Sequence, residues 1–215
     1  MDHAVRGISI GRDRRGYESA KRCLDVFVAL SALIVFGIPM LVIAVLVRLT
    51  SDGPSFYRAE RLGRHGSVFY QLKFRSMIAN APDQRNPDGS TLSVADDPRV
   101  TPLGRFLRRT SLDELPQFIN VLTGDMSLVG PRPDPVNVTE LYRPQDFNRQ
   151  SVVQGITGWA IVHGRNEIPW EKRRDLDLEY VEIRSFWLDL KILAMTVGMV
   201  LKRRGIHSET LGEST

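Results

Sequence analysis

Two neighbouring carboxylates, Asp113 and Glu114, lie in the run Ser111-Leu112-Asp113-Glu114-Leu115-Pro116. Proline suits the first position of a helix, and the residue before it avoids helical geometry. The pair is therefore expected at a helix N-terminus, where the helix dipole favours ionised carboxylates. An ionised aspartate is a competent nucleophile toward phosphorus, and a neighbouring carboxylate can hold Mg²⁺ against substrate phosphates. The same residues also read as structure alone, because Ser111-x-x-Glu114 matches a capping box and acidic first turns are routine. Cationic residues suited to phosphate are Lys73, Arg75, Arg108, Arg109, Arg132 and Arg165. Guanidinium groups grip phosphate oxygens bidentately. Pro131 and Pro133 flank Arg132 and limit backbone movement there, so its side chain can be held at a fixed angle. Against this, a charge run is ordinarily a solvated face, and an isolated Pro-Arg-Pro ordinarily marks a turn. Arg105, Arg108 and Arg109 suit lipid headgroups equally well.

These residues need elements to carry them. Pro54 to Tyr57, a turn at Gly63-Arg64-His65-Gly66, and Val68 to Phe74 predict a β-hairpin that bears Lys73. Asn80 to Pro98 is polar and proline-bearing and is expected to be a loop. A basic amphipathic stretch, Leu103 to Arg109, precedes the acidic pair, and a short helix after Pro116 should end near Gly124. Asp125 to Pro133 reads as turn-rich. Helix signals resume from Trp170 to Ile183 and from Phe186 to Leu201. The latter is apolar with a basic end and suits an interfacial helix or a core helix with a solvated cap.

No charged residue occurs from Val26 to Val47. At about 1.5 Å per residue this stretch can cross a bilayer core of about 30 Å. It is too long for a signal peptide and lacks a small-residue cleavage site. Both flanks are basic, with Arg12, Arg14, Arg15, Lys21 and Arg22 before and Arg48, Arg58, Arg61 and Arg64 after. Positive flanks prefer the cytoplasm, so both ends favour one side. Gly37-Ile38-Pro39 at the middle predicts a bend. A bent helix can dip into the cytoplasmic leaflet and return, and a kinked spanning helix is the alternative.

The 215-residue chain is 42% hydrophobic, enough for a real core. A net charge of +4 points to an anionic partner without choosing among lipid, nucleic acid and phosphorylated substrate. One cysteine, Cys23, precludes an intrachain disulfide, and the four histidines are scattered, so no transition-metal site is expected. The long uncharged segment and the lack of a recognisable binding motif argue against a nucleic-acid partner.

Several motifs occur in order: Lys73-Phe74-Arg75-Ser76-Met77, Thr110-Ser111-Leu112-Asp113-Glu114-Leu115-Pro116-Gln117, Gly124 to Pro133, Gly155-Ile156-Thr157-Gly158-Trp159-Ala160 and Gly164-Arg165-Asn166. Together they resemble the bacterial sugar transferases, the monotopic phosphoglycosyl transferases that begin glycoconjugate assembly on polyprenyl phosphate, and in particular the small single-domain type. Each motif is weak alone; their order and spacing make the resemblance specific. It spans nearly the whole chain, from about Lys21 to Gly205.

The resemblance implies an α+β, membrane-associated fold. A re-entrant helix at 23–49, broken near Pro39, would follow a basic segment at 1–22. A cytosolic catalytic domain with a small hairpin and interfacial helices would occupy 50–205, ahead of a flexible tail at 206–215. It implies a bacterial inner (cytoplasmic) membrane location with the catalytic domain facing the cytoplasm. The activity implied is transfer of a sugar-1-phosphate from a UDP-sugar to undecaprenyl phosphate. Asp113 would be the nucleophile, and Glu114 would assist through Mg²⁺. Arg132, with Pro131 and Pro133, would be linked to nucleotide binding. Lys73, Arg75, Arg108 and Arg165 match basic positions around the phosphates. Some positions depart from the family pattern: Ile38 precedes Pro39 where serine is common, Gln154 stands where proline is common, and Ile161 and His163 replace polar residues. An inactive membrane-anchored scaffold of polysaccharide assembly is the competing reading, and intact Asp113, Glu114 and Arg132 argue against it. The sugar stays open among N-acetylated amino sugars, glucose and galactose, and no oligomeric state follows from the sequence.

Overall fold

A computed structural model describes residues 14–86, 92, 97–164 and 168–202, the side chains of residues 14, 201 and 202 excepted. The expectations placed on residues 1–13, on the tail 206–215 and on Arg165 lie outside the described residues, as do parts of the loop expected from Asn80 to Pro98.

The first element, α1 (Arg14–Thr50), has 37 residues, about 55 Å of helix at about 1.5 Å per residue. It starts ahead of the expected boundary at 23 and runs through Pro39 as one helix, so the break expected at Pro39 is not a gap in the helix. One proline removes one backbone donor, and the Leu-, Ile- and Val-rich turns on both sides keep theirs. The helix touches the rest of the chain in two zones. Ala29, with Leu24 and Val28, joins a core of Phe69, Val121, Met126, Leu128, Val129, Tyr180 and Ile192. Ile43 and Val47, with Met40 and Ala44, join a second core of Phe74 and Leu107. Between the zones, residues 34–39 are exposed on every side of the helix. Gly37 and Pro39 lie within this exposed stretch.

Strands β1 (Phe56–Leu62) and β2 (Val68–Phe74) pair antiparallel, with Tyr57 opposite Lys73 and Arg61 opposite Phe69. The connecting turn falls where the glycines predicted it, with Gly66 at a φ of 77°. The strand before it lies further along the chain than Pro54 to Tyr57. Next, α2 (Pro102–Thr110) starts at Thr101, whose hydroxyl accepts the Gly104 N–H at 2.9 Å. Gly104 lies against the Ser76 carbonyl, where an added Cβ would come within 1.9 Å of the oxygen. Glycine therefore lets α2 seat directly on the chain that follows β2.

A single 3₁₀ turn, Leu112–Glu114, leads to α3 (Gln117–Thr123), which ends on Gly124 at a φ of 93°. Asn120 on α3 accepts the Leu72 N–H at 2.9 Å and donates to the Tyr70 carbonyl at 2.8 Å, clamping α3 to β2. The segment that reads as turn-rich contains a strand, β3 (Met126–Val129), which pairs in parallel with β4 (Gln154–Thr157). Two 3₁₀ helices, Val136–Leu141 and Pro144–Ser151, lie between them. After β4, a short α4 (Trp159–Val162) precedes α5 (Trp170–Ile183) and α6 (Phe186–Lys202). The expected bounds of α5 hold, and α6 extends one residue beyond those expected. The architecture is α+β, with a long apolar helix laid against a small mixed domain.

Candidate active site

The acidic pair lies on the 3₁₀ turn between α2 and α3, and Asp113 is buried. Its placement begins with Ser111, whose backbone is left-handed at a φ of 57° and ends α2. In that conformation the Ser111 side chain caps nothing, so the capping box suggested by Ser111-x-x-Glu114 does not form. The Glu114 carboxylate turns instead to cations from two other elements. Its Oε1 accepts from Lys73 Nζ at 2.9 Å and from Arg132 Nη2 at 3.0 Å. The hairpin supplies Lys73 and the segment after β3 supplies Arg132, so residues distant in sequence meet on one oxygen.

The charges act on one another. Burial pushes the Lys73 ammonium below the ordinary lysine range, with Glu114 opposing that shift. Glu114 holds the Arg132 guanidinium above its ordinary value, against burial. Arg108, from α2, is lowered by burial, with Asp113 and Asp97 opposing. Its Nε donates to Ser76 Oγ at 2.8 Å, which fixes the guanidinium near Asp113. Lys73, Arg108 and Arg132 therefore lie around Asp113 and Glu114.

Arg75 has a different occupation. Its guanidinium donates to the Val47 carbonyl at 3.2 Å, to the Ser51 carbonyl at 2.7 Å and to the Asp52 carbonyl. A cation suits these carbonyls at a helix C-terminus. The structure thus places Arg75 under the end of α1 and away from the acidic pair, against the expectation that it lines the phosphate site. The other end of α1 is tied down similarly. Lys21 Nζ donates to the Val129 carbonyl at 2.8 Å, and Asp25 accepts the Leu128 N–H at 2.9 Å.

Pro131 and Pro133 are buried on either side of half-buried Arg132, and the Pro131 carbonyl accepts the Gly155 N–H at 2.9 Å. A Cβ at Gly155 would come within 2.1 Å of the Gly130 nitrogen, so glycine is required for this close crossing. Arg149 was absent from the sequence expectation. Its Nη2 donates to the Arg132 carbonyl at 3.1 Å and to Asp177 at 2.7 Å, and its Nη1 pairs with Asp134. It holds the Pro-Arg-Pro backbone from behind. Nothing local in the sequence marks it, because its partners lie on α5 and on the segment after β3.

Among the described residues no three His, Cys, Asp or Glu side chains converge as a metal cluster. A divalent cation at this site would need oxygens from the ligand. Mg²⁺ commonly takes one or two carboxylates plus substrate phosphates, and adjacent Asp113 and Glu114 fit that donor set.

A carboxylate pair framed by lysine and arginine is an arrangement that suits phosphate, and the chain that carries it also has one long apolar helix. Residues 16–203 match the model of the bacterial sugar transferase family. The chain belongs to that family. It is 45% identical over 187 residues to the uncharacterized sugar transferase EpsL of Bacillus subtilis, covering 87% of this chain and 90% of that protein. It is 45% identical over 185 residues to the UDP-glucose:undecaprenyl-phosphate glucose-1-phosphate transferase of Escherichia coli, covering 82% of this chain and 39% of that protein. It is 38% identical over 206 residues to the undecaprenyl-phosphate galactose phosphotransferase of Salmonella typhimurium, covering 90% of this chain and 43% of that protein. The chain therefore spans about two-fifths of the length of these two longer relatives.

Proposed function

We propose that this protein transfers a sugar-1-phosphate from a UDP-sugar to undecaprenyl phosphate, releasing UMP. The observation that carries this reading is the buried Asp113 beside a Glu114 held by Lys73 and Arg132. The names of the relatives supply the substrate classes.

In the first step a carboxylate oxygen of Asp113 attacks the phosphorus that bears the sugar. An Asp113–phosphorus bond forms, the bond from that phosphorus to the bridging oxygen breaks, and UMP departs with the electron pair. In the second step an oxygen of undecaprenyl phosphate attacks the same phosphorus, and the Asp113 carboxylate leaves. Lys73, Arg108 and Arg132 offset the phosphate charge as it meets the aspartate. Glu114 and the substrate phosphates would hold Mg²⁺, which supplies further charge neutralisation. Glu114 also fixes Lys73 and Arg132 through one shared oxygen.

α1 supports a seat at the membrane. The segment is long and apolar enough to cross a bilayer, and its middle is clear of the protein, with Ile34 73% and Ile38 78% exposed. Contact of both halves with one domain favours a helix that enters one leaflet and returns. Such a path keeps the basic flanks and the site on the cytoplasmic face of the inner membrane, where nucleotide sugars are made. On α6, exposed Trp187, Val197 and Val200 suit the interfacial zone.

The test is a panel of UDP-sugars with undecaprenyl phosphate and Mg²⁺, read by UMP release. One sugar should give lipid-dependent turnover that chelation stops and added Mg²⁺ restores. No UMP from any UDP-sugar, with the protein folded and membrane-seated, would remove the proposal.

A further inference from the structure

We propose that Arg61 is a further substrate-contacting residue, which binds the phosphate that departs with the nucleotide. This rests on the phosphoglycosyl transfer proposed above. Arg61 lies on β1, and the register of the hairpin puts it on the same face as Gln71 and Lys73. Its backbone forms a bridge to Pro135, and the next residue, Leu62, donates its N–H to the Asp134 carbonyl at 2.9 Å. The edge of β1 is thus joined to the loop that presents Arg132.

The guanidinium is held by one end only. Nε donates to Gln71 Oε1 at 3.1 Å, and Gln71 Nε2 donates to Gln117 Oε1 at 3.0 Å. That relay reaches α3, which follows the acidic pair directly. Among the described residues the Arg61 terminal nitrogens have no hydrogen-bond partner. The group is half-buried, and burial together with the neighbouring Arg132 charge pushes its pKa down. Tyr57 and Asp134 oppose that shift, but Asp134 is paired with Arg149 and Glu114 is shared between Arg132 and Lys73, so cationic charge is left in excess. A dianionic ligand would relieve it.

Arg132 links the two groups: it donates to Glu114 at 3.0 Å and lies close enough to Arg61 to perturb it. A diphosphate whose sugar-bearing phosphorus meets Asp113 would extend its second phosphate along Arg132 toward Arg61. When the bridging bond breaks, negative charge grows on that second phosphate, and Arg61 would stabilise it through its terminal N–H groups. The group would then act in the first step and not in the second, because UMP has left before the lipid phosphate attacks.

The experiment measures the two half-reactions separately in full-length, membrane-seated Arg61→Gln and Arg61→Lys proteins. Formation of the enzyme-bound phosphosugar from UDP-sugar is followed by rapid quench. Its transfer to undecaprenyl phosphate is followed after UMP is removed. Arg61→Gln should slow the first step by about 10- to 100-fold, the range set by losing a charge-assisted hydrogen bond, and should weaken UMP binding in the same range. The second step and the melting temperature should match wild type, and Arg61→Lys should recover part of the first step. Equal slowing of both steps, or wild-type rates in Arg61→Gln, would overturn the assignment. Wild-type protein that forms no phosphosugar adduct would instead defeat the two-step reading on which it rests.

Discussion

Two groups of buried charge sit back to back in this molecule, and their stoichiometry differs. Behind the Pro-Arg-Pro loop, Arg149 pairs with Asp134 and Asp177, while Arg143 and Arg174 pair with Asp146. Every guanidinium there faces carboxylate, and the Asp146 side chain is fully enclosed. Around Asp113 and Glu114 the cations exceed the anions, and Lys73 and Arg132 share one carboxylate oxygen. Arginine and aspartate build both regions. A matched set holds loops in place, and a set with cationic excess suits the phosphate chemistry proposed above.

The largest effect that would break this comparison is chemical. Asp113→Asn keeps the shape of the side chain and removes the nucleophile. It should lower turnover by about a thousandfold or more, roughly 4 kcal/mol of barrier, with an unchanged melting temperature. Near-normal turnover in the folded variant would place the chemistry elsewhere. On the matched side the response should be the reverse. Arg149→Ala strands two buried carboxylates and should cost about 3–5 kcal/mol of stability, read as a fall in the denaturant midpoint. Stability equal to wild type would mean that the network behind the loop is not what holds it.

The hairpin turn, the helix Trp170–Ile183 and the gathering of Lys73, Arg108 and Arg132 about the acidic pair were legible because each has a local signal: paired glycines, helical periodicity, or basic residues in a recognisable order. Strands β3 and β4 were not legible. Each has four residues, and β3 borders Gly130 and Pro131, so its turn residues masked a pairing made with a strand far along the chain. Arg75 misled for a related reason. Its neighbours in sequence suggested phosphate, whereas its partners are carbonyls at the end of α1. Ser111 misled because the left-handed backbone that ends α2 turns its side chain away from the cap. Tertiary partners decided these cases, and a linear pattern does not name them.

A smaller effect sharpens the electrostatics of the site. Burial holds Lys73 below the ordinary lysine pKa, so on the alkaline side its charge is lost earlier than for an exposed lysine. The kcat/KM profile should fall on that side as Lys73 deprotonates and releases Glu114. Lys73→Arg keeps the cation at all working pH values and should move the alkaline limb to higher pH, with activity reduced only several-fold at neutral pH. A limb that stays where it was would assign the titration to another group.

The proposed function has Asp113 carry the phosphosugar between donor and lipid. Its most direct test is intact-mass analysis of the protein incubated with its UDP-sugar and Mg²⁺, without lipid, and quenched in acid. A mass increase of one sugar phosphate located on Asp113 is expected, released when undecaprenyl phosphate is added and absent in Asp113→Asn. Robust turnover with no adduct at any time after mixing, and with double-reciprocal lines that intersect, would contradict it and establish direct transfer.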